Sequence, residues 1–167
     1  FQMRACDEWK DLEDDRRYRP DRPIPRGLIP LGTVLALGAA TLPLAVLVAI
    51  AWHPPLLWLL ALVWVWLAAM TAEFGVAAWL KARPVPYLIS HMAIMPLITL
   101  MLTGIEWLPA GGPAPGLVWF LALSLANGCV LEIGRKLWAP ENEIAGVDSY
   151  SRIWGPARAA AVWAAAV

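Results

Sequence analysis

Between Cys6 and Ile29 the chain reads CDEWKDLEDDRRYRPDRPIPRGLI, a stretch with seven carboxylates and six basic side chains. Asp7, Asp11 and Asp15 recur every fourth residue, a spacing that stacks them along one helix face with Asp14 close by. Like charges so placed repel one another unless a hard divalent cation sits among them. Mg²⁺ takes one or two carboxylates, keeps waters and fills its other positions with phosphate oxygens. The RRYRPDRPIPRG that follows supplies Arg16, Arg22 and Arg26, whose planar forks match phosphate oxygens in pairs. Carboxylates beside arginines fit a metal–diphosphate site. The bland alternative is a juxtamembrane loop whose mixed charges form solvated ion pairs of little energetic weight.

A second acidic and basic cluster stands far downstream. LEIGRKLWAPENEIAGVDSYSRIWG, from Leu131 to Gly155, holds Glu132, Glu141, Glu143 and Asp148 with Arg135 and Lys136. Two further polar residues interrupt apolar runs. Glu73 is a functional candidate because a carboxylate at membrane depth is costly, its bland reading being a packing hydrogen bond between helices. His91 has the chemistry to position an acceptor or move a proton, or else it bonds a neighbouring backbone group.

The elements that must position these residues are apolar helices. The chain has 167 residues, 60% of them hydrophobic, with 11 Trp, a mean hydropathy of +0.59 and zero formal net charge. That is too apolar for a soluble domain of this size. Zero net charge offers no basic excess for a nucleic-acid partner. Cys6 and Cys129 have no metal-ligand spacing and read as free thiols. Four apolar runs, 29–52, 56–80, 85–108 and 117–138, each reach the roughly 20 residues that a helix needs to cross a bilayer. HPP, ARPVP and PAGGPAPG mark the joints, and Pro43 and Pro96 should kink their helices.

The expected fold is therefore all-α, a multi-span transmembrane helix bundle in one membrane domain over residues 1–167. Polar loops occupy 6–28 and 139–155, and a further span begins at 156. The start at Phe1 and the end inside an Ala-rich run read as a fragment truncated at both ends. All thirteen Lys and Arg fall before the first run, between the second and third, or at the end of the fourth and beyond it. Positive residues mark the cytoplasmic side, so both acidic loops should face the cytoplasm from a bacterial inner membrane.

DEWKDLEDDRRYRPDRPIPRG resembles the first signature of the UbiA-type prenyltransferases, an NxxxDxxxD pattern followed by an RPxP-G segment. The stretch from Glu132 to Gly155 is similar to their second aspartate-rich loop with its G-x-x-[ST] ending, and the number of spans between agrees. The family's Asn and two Asp correspond to Asp7, Asp11 and Asp15, and its RPxP to Arg22, Pro23, Ile24 and Pro25. Asp replaces Asn at position 7, the spacer before Arg22 is shorter, and the second DxxxD is absent, leaving Glu132, Glu141 and Glu143 as its replacements.

What the resemblance implies is an Mg²⁺-dependent transfer of an isoprenyl group from an isoprenyl diphosphate to a lipophilic acceptor. Asp11, Asp15 and Lys136 would be catalytic; Arg16, Arg22, Arg26 and Arg135 would bind the diphosphate. Asp7, Asp11, Asp15, Glu132, Glu141 and Glu143 would hold metal, with Glu73 or His91 at the acceptor or its proton. Two other classes fit the charges alone: a divalent-cation transporter, whose acidic groups belong near mid-bilayer, and a non-catalytic membrane scaffold.

Overall fold

The structure, a computed structural model, describes residues 1–167 and contains no strand. Ten helices follow one another: α1 (Gln2–Lys10), α2 (Leu12–Tyr18), α3 (Leu31–Trp52), α4 (Leu56–Thr71), α5 (Ala77–Lys81), α6 (Pro84–Met92), α7 (Ile94–Trp107), α8 (Leu117–Arg135), α9 (Tyr150–Trp154) and α10 (Pro156–Ala166). Prolines set several of the starts. Pro30 and Pro55 precede α3 and α4, and Pro84 and Pro156 open α6 and α10, where a missing N–H costs nothing. The stretches Leu31–Trp52, Pro84–Trp107 and Leu117–Arg135 are long and apolar enough to cross a membrane, and α4 is a shorter apolar helix. Large apolar side chains such as Leu44, Leu47, Trp58 and Trp119 stand exposed on these helices, as a lipid-facing surface requires.

Two of the four apolar runs depart from unbroken helices. The run 56–80 leaves the helix after Thr71. Glu73 and Phe74 take positive φ angles of 51° and 53° ahead of Gly75 at 72°, a conformation that costs non-glycine residues free energy. The departure lets the carboxylate of Glu73, only 6% exposed, meet the ammonium of Lys10, while Phe74 sits edge-on to Trp66 at 5.3 Å. The run 85–108 divides at Ala93, between α6 and α7. Pro96 supplies the cause, since it cannot donate to the Met92 carbonyl four residues back and its ring crowds that oxygen. Pro43, by contrast, lies inside α3, which continues past it to Trp52.

The chain divides into two compact units, Phe1–Phe74 and Gly75–Val167. In the first, α1 packs on both α3 and α4. The Gln2 amide donates to Thr41 Oγ1 (2.9 Å) and accepts from Trp64 Nε1 (2.8 Å), so one side chain joins three helices. Ala5 meets Gly38 so closely that a Cβ there would stand 2.9 Å from the Ala5 methyl; only glycine permits that approach. In the second unit α8 packs against α6, α7 and α10. Its core gathers Leu88, Cys129, Ile133, Tyr150 and Ala159, and a 2.7 Å hydroxyl pair, Thr99 with Ser124, ties α7 to α8.

Candidate active site

The Asp ladder keeps its register although the helix is interrupted at Asp11. The Asp11 N–H donates to the Asp7 carbonyl and the Asp15 N–H to the Asp11 carbonyl, both at 2.8 Å, and the Arg19 N–H continues to Asp15 at 2.8 Å. One residue therefore follows the other by a helical turn from Asp7 to Arg19, about 5.4 Å of rise at each step.

The three side chains meet different surroundings. Asp7 is exposed and Asp11 half-buried, whereas Asp15 is 1% exposed. Its carboxylate is gripped by two guanidinium groups: Arg19 Nε lies 3.1 Å from Oδ1, and Arg22 Nη1 donates to Oδ2. Arg16 and Arg26 are exposed. Backbone turns fold the RPDRPIPRG segment, the Arg22 N–H donating to Arg19 O (3.1 Å) and the Arg26 N–H to Arg22 O (2.9 Å). Gly27, at φ 76°, ends it. Arg19 had not been singled out from the sequence; its signal was the i,i+4 spacing to Asp15. Lys10 had gone unnoticed too, and no local spacing points from it to Glu73.

In the second unit the carboxylates are engaged by their own neighbourhood. Glu132, at the end of α8, pairs with Arg135 and with Lys136 Nζ at 3.0 Å. Glu143 accepts the hydroxyl of the fully buried Ser149, 2.6 and 2.8 Å from its two oxygens, and Ser149 Oγ in turn accepts the Arg152 N–H at the start of α9. The loop closes through the Tyr150 N–H donating to Lys136 O (3.1 Å) and the Trp138 N–H donating to Ser151 Oγ (2.8 Å). Glu141, in a 3-10 turn over Pro140–Asn142, and Asp148 are exposed.

Tyr150 was also missed. It is buried, with Lys136 Nζ 5.9 Å from its ring centroid. Burial, and then the negative charge of Glu132, push its phenol well above the ordinary value. His91 stacks on Tyr87 with ring centroids 4.0 Å apart, and its Nδ1 lies 3.0 Å from the Tyr87 carbonyl and 3.3 Å from Ser90 Oγ. A carbonyl partner places the proton on Nδ1.

No three His, Cys, Asp or Glu side chains gather into a ligand cluster. Asp7 is exposed and Asp11 half-buried, one helical turn apart.

An all-helical chain with three helices long and apolar enough to cross a membrane defines an integral membrane protein. The chain matches the UbiA prenyltransferase family over residues 2–167 and belongs to that family. Membership implies prenyl transfer to lipophilic acceptors in the membrane, with a divalent metal in general use among its enzymes. No curated protein and no solved structure matches the chain.

Proposed function

We propose that the protein transfers an isoprenyl group from an isoprenyl diphosphate to an aromatic or other lipophilic acceptor, in an Mg²⁺-dependent reaction at the cytoplasmic side of a bacterial inner membrane. The observation that carries this reading is the Asp7–Asp11–Asp15 ladder, held in helical register and running directly into the Arg19–Arg22 grip. Asp7 and Asp11 hold the metal. Bound there, Mg²⁺ would supply stabilisation of the charge that builds on the diphosphate oxygens as the carbon–oxygen bond breaks.

The arginines do the remaining electrostatic work. Arg22, with the exposed Arg16 and Arg26, presents guanidinium groups to phosphate oxygens before reaction and holds the leaving diphosphate after it, so little reorganisation accompanies bond breaking. In the second unit, Glu132 holds Arg135 and Lys136 as a cation pair suited to phosphate oxygens. Glu141 and Glu143 stand as the remaining acidic candidates there. The allylic cation left behind needs shielding from water and an aromatic face, which a chain with 11 Trp can supply. His91, with its proton on Nδ1, offers Nε2 to the proton that the acceptor gives up, and Glu73 stays with Lys10.

The test is the full-length gene product in membranes with labelled isoprenyl diphosphates. Prenylated lipid should be extractable with Mg²⁺ and absent after chelation; its absence under both conditions would remove the reading. Orientation is checked separately in intact cells lacking Cys6 and Cys129. A cysteine at Ala114, in the exposed turn before α8, should react with an impermeant thiol reagent, and one at Ala82 should not. The reverse pattern overturns the cytoplasmic placement.

A further inference from the structure

Resting on that reading, we propose that Asp15 is a positioning residue for the diphosphate arginines and not a metal ligand. Its Oδ2 accepts a hydrogen bond from Arg22 Nη1, Arg19 Nε stands 3.1 Å from Oδ1 as an ion pair without hydrogen-bond geometry, and the residue is 1% exposed. A hydrated Mg²⁺ gives up its waters reluctantly and keeps several when bound. A carboxylate enclosed this far has no room for such an ion, and drawing it away would strand two cations in its place.

The charge balance gives the arrangement a purpose. One carboxylate between two arginines leaves a net positive charge. Arg22 donates to Asp15 through one nitrogen and Arg19 pairs with it by charge alone, and Arg19 and Arg22 keep 33% and 26% of their side-chain surface exposed. Planar guanidinium groups carry five donors in fixed directions, so the bond that fixes Arg22 Nη1 also fixes the aim of the other Arg22 donors, while Arg19 adds a second positive charge beside it. Backbone bonds carry the effect along the loop: Asp15 O accepts from Arg19, Arg19 O from Arg22, and Arg22 O from Arg26. The ladder therefore divides its labour, Asp7 and Asp11 facing a cation while Asp15 sets the anion side.

The division is read by separating metal affinity from diphosphate affinity in the purified full-length protein. Mn²⁺ serves as the spectroscopic probe of the metal and inorganic pyrophosphate as the probe of the anion. Asp15→Asn should weaken pyrophosphate binding about tenfold or more, since a charged hydrogen-bond network loses its organiser. It should leave Mn²⁺ affinity at saturating pyrophosphate within about twofold of wild type. Asp11→Asn should show the opposite split. In a double-mutant cycle on pyrophosphate affinity, Asp15→Asn should add little once Arg22→Gln is present, because Asp15 acts through Arg22.

An Asp15→Asn protein that loses Mn²⁺ as Asp11→Asn does, or an additive cycle, overturns the proposal. Where Asp15→Asn alone does not fold, the Asp15→Asn/Arg22→Gln pair removes both charges and keeps the volume. Its Mn²⁺ affinity should stay near wild type, and a loss as large as that of Asp11→Asn overturns the proposal equally. Wild-type protein that binds no Mn²⁺ with pyrophosphate present would instead remove the underlying prenyl-transfer reading.

Discussion

In the first acidic loop the buried carboxylate, Asp15, is held by two arginines, while Asp7 is exposed and Asp11 half-buried. In the second, Glu132 is engaged by Arg135 and Lys136 and Glu143 by Ser149, while Glu141 and Asp148 are exposed. The contrast lies in the use to which similar residues are put. The first loop buries one carboxylate between two cations and keeps the other two nearer the surface on the same helical ladder. The second uses its best-placed carboxylates to close a loop and start α9. Metal dependence should then be felt far more strongly in the first loop than in the second.

The largest test of that contrast is Asp11→Asn in the full-length protein. Loss of a ligand next to the developing diphosphate charge should lower turnover about 10²–10³-fold, with expression and membrane insertion retained. Glu141→Gln, the equivalent change at an exposed acid of the second loop, should leave turnover and the Mg²⁺ optimum nearly unchanged. Equal losses at both positions would erase the distinction between the loops and give the second one a metal of its own.

A smaller effect, on stability, should follow from Glu73. Like Asp15 it is a buried carboxylate with a cation, and it differs in that its partner, Lys10, comes from a helix 63 residues earlier (73 − 10). Removing one partner of a buried pair costs several kcal/mol, and Lys10 keeps some access to solvent. Glu73→Ala should therefore lower unfolding free energy by about 1–3 kcal/mol, read as a fall in thermal midpoint in detergent. An unchanged midpoint would mean that the strained turn at Glu73 and Phe74 is held without Lys10.

Glu143 gives a finer comparison within the second loop. Its carboxylate receives the Ser149 hydroxyl that caps α9. Glu143→Gln retains an acceptor and should behave as wild type, whereas Glu143→Ala should cost about 1 kcal/mol, the usual net worth of such a bond. Thermal unfolding decides between them. A shift of the Mg²⁺ requirement in Glu143→Gln, with stability intact, would return Glu143 to the metal.

Much of this was legible in the sequence because it is local. Apolar runs gave the helices, prolines their starts, and the fourfold spacing of Asp7, Asp11 and Asp15 a register that survives the interruption at Asp11. The all-helical fold and the family followed from those patterns. What was not legible depended on distance along the chain. Nothing near Glu73 announces Lys10, so the run 56–80 read as continuous helix where the structure turns out of it. The Pro96 kink was foreseen, but its expression as a break at Ala93 depends on which helical turn the ring crowds. The protein partners of Asp15 and Glu143 were not legible either, because composition shows charges without their neighbours; the two arginines and the Ser149 hydroxyl appear only when side chains are placed.

The smallest expected effect concerns pH and Tyr150. The residue is buried among Leu88, Cys129, Ile133 and Ala159, stacks near Trp154 with ring centroids 4.7 Å apart, and receives Lys136 over its ring. Burial, aided by Glu132, raises its phenol far above the ordinary value of 10.0. Below that value the folded and unfolded states both keep the proton, and the stabilisation from this site is fully present. Above it the unfolded phenol ionises while the folded one does not, so the unfolded state binds fewer protons and stability falls as pH rises. Other groups titrate in the same range, which makes the informative quantity the difference between wild type and Tyr150→Phe. Followed by thermal unfolding from about pH 8 to about pH 11, the wild-type midpoint should fall more steeply than that of the variant, with the curves separating only near the upper end. Parallel curves would mean that the Tyr150 ring reaches water. The second loop would then be open where it is described as closed, Lys136 would be released from it, and the contrast with the first loop would rest on Glu132 and Glu143 alone.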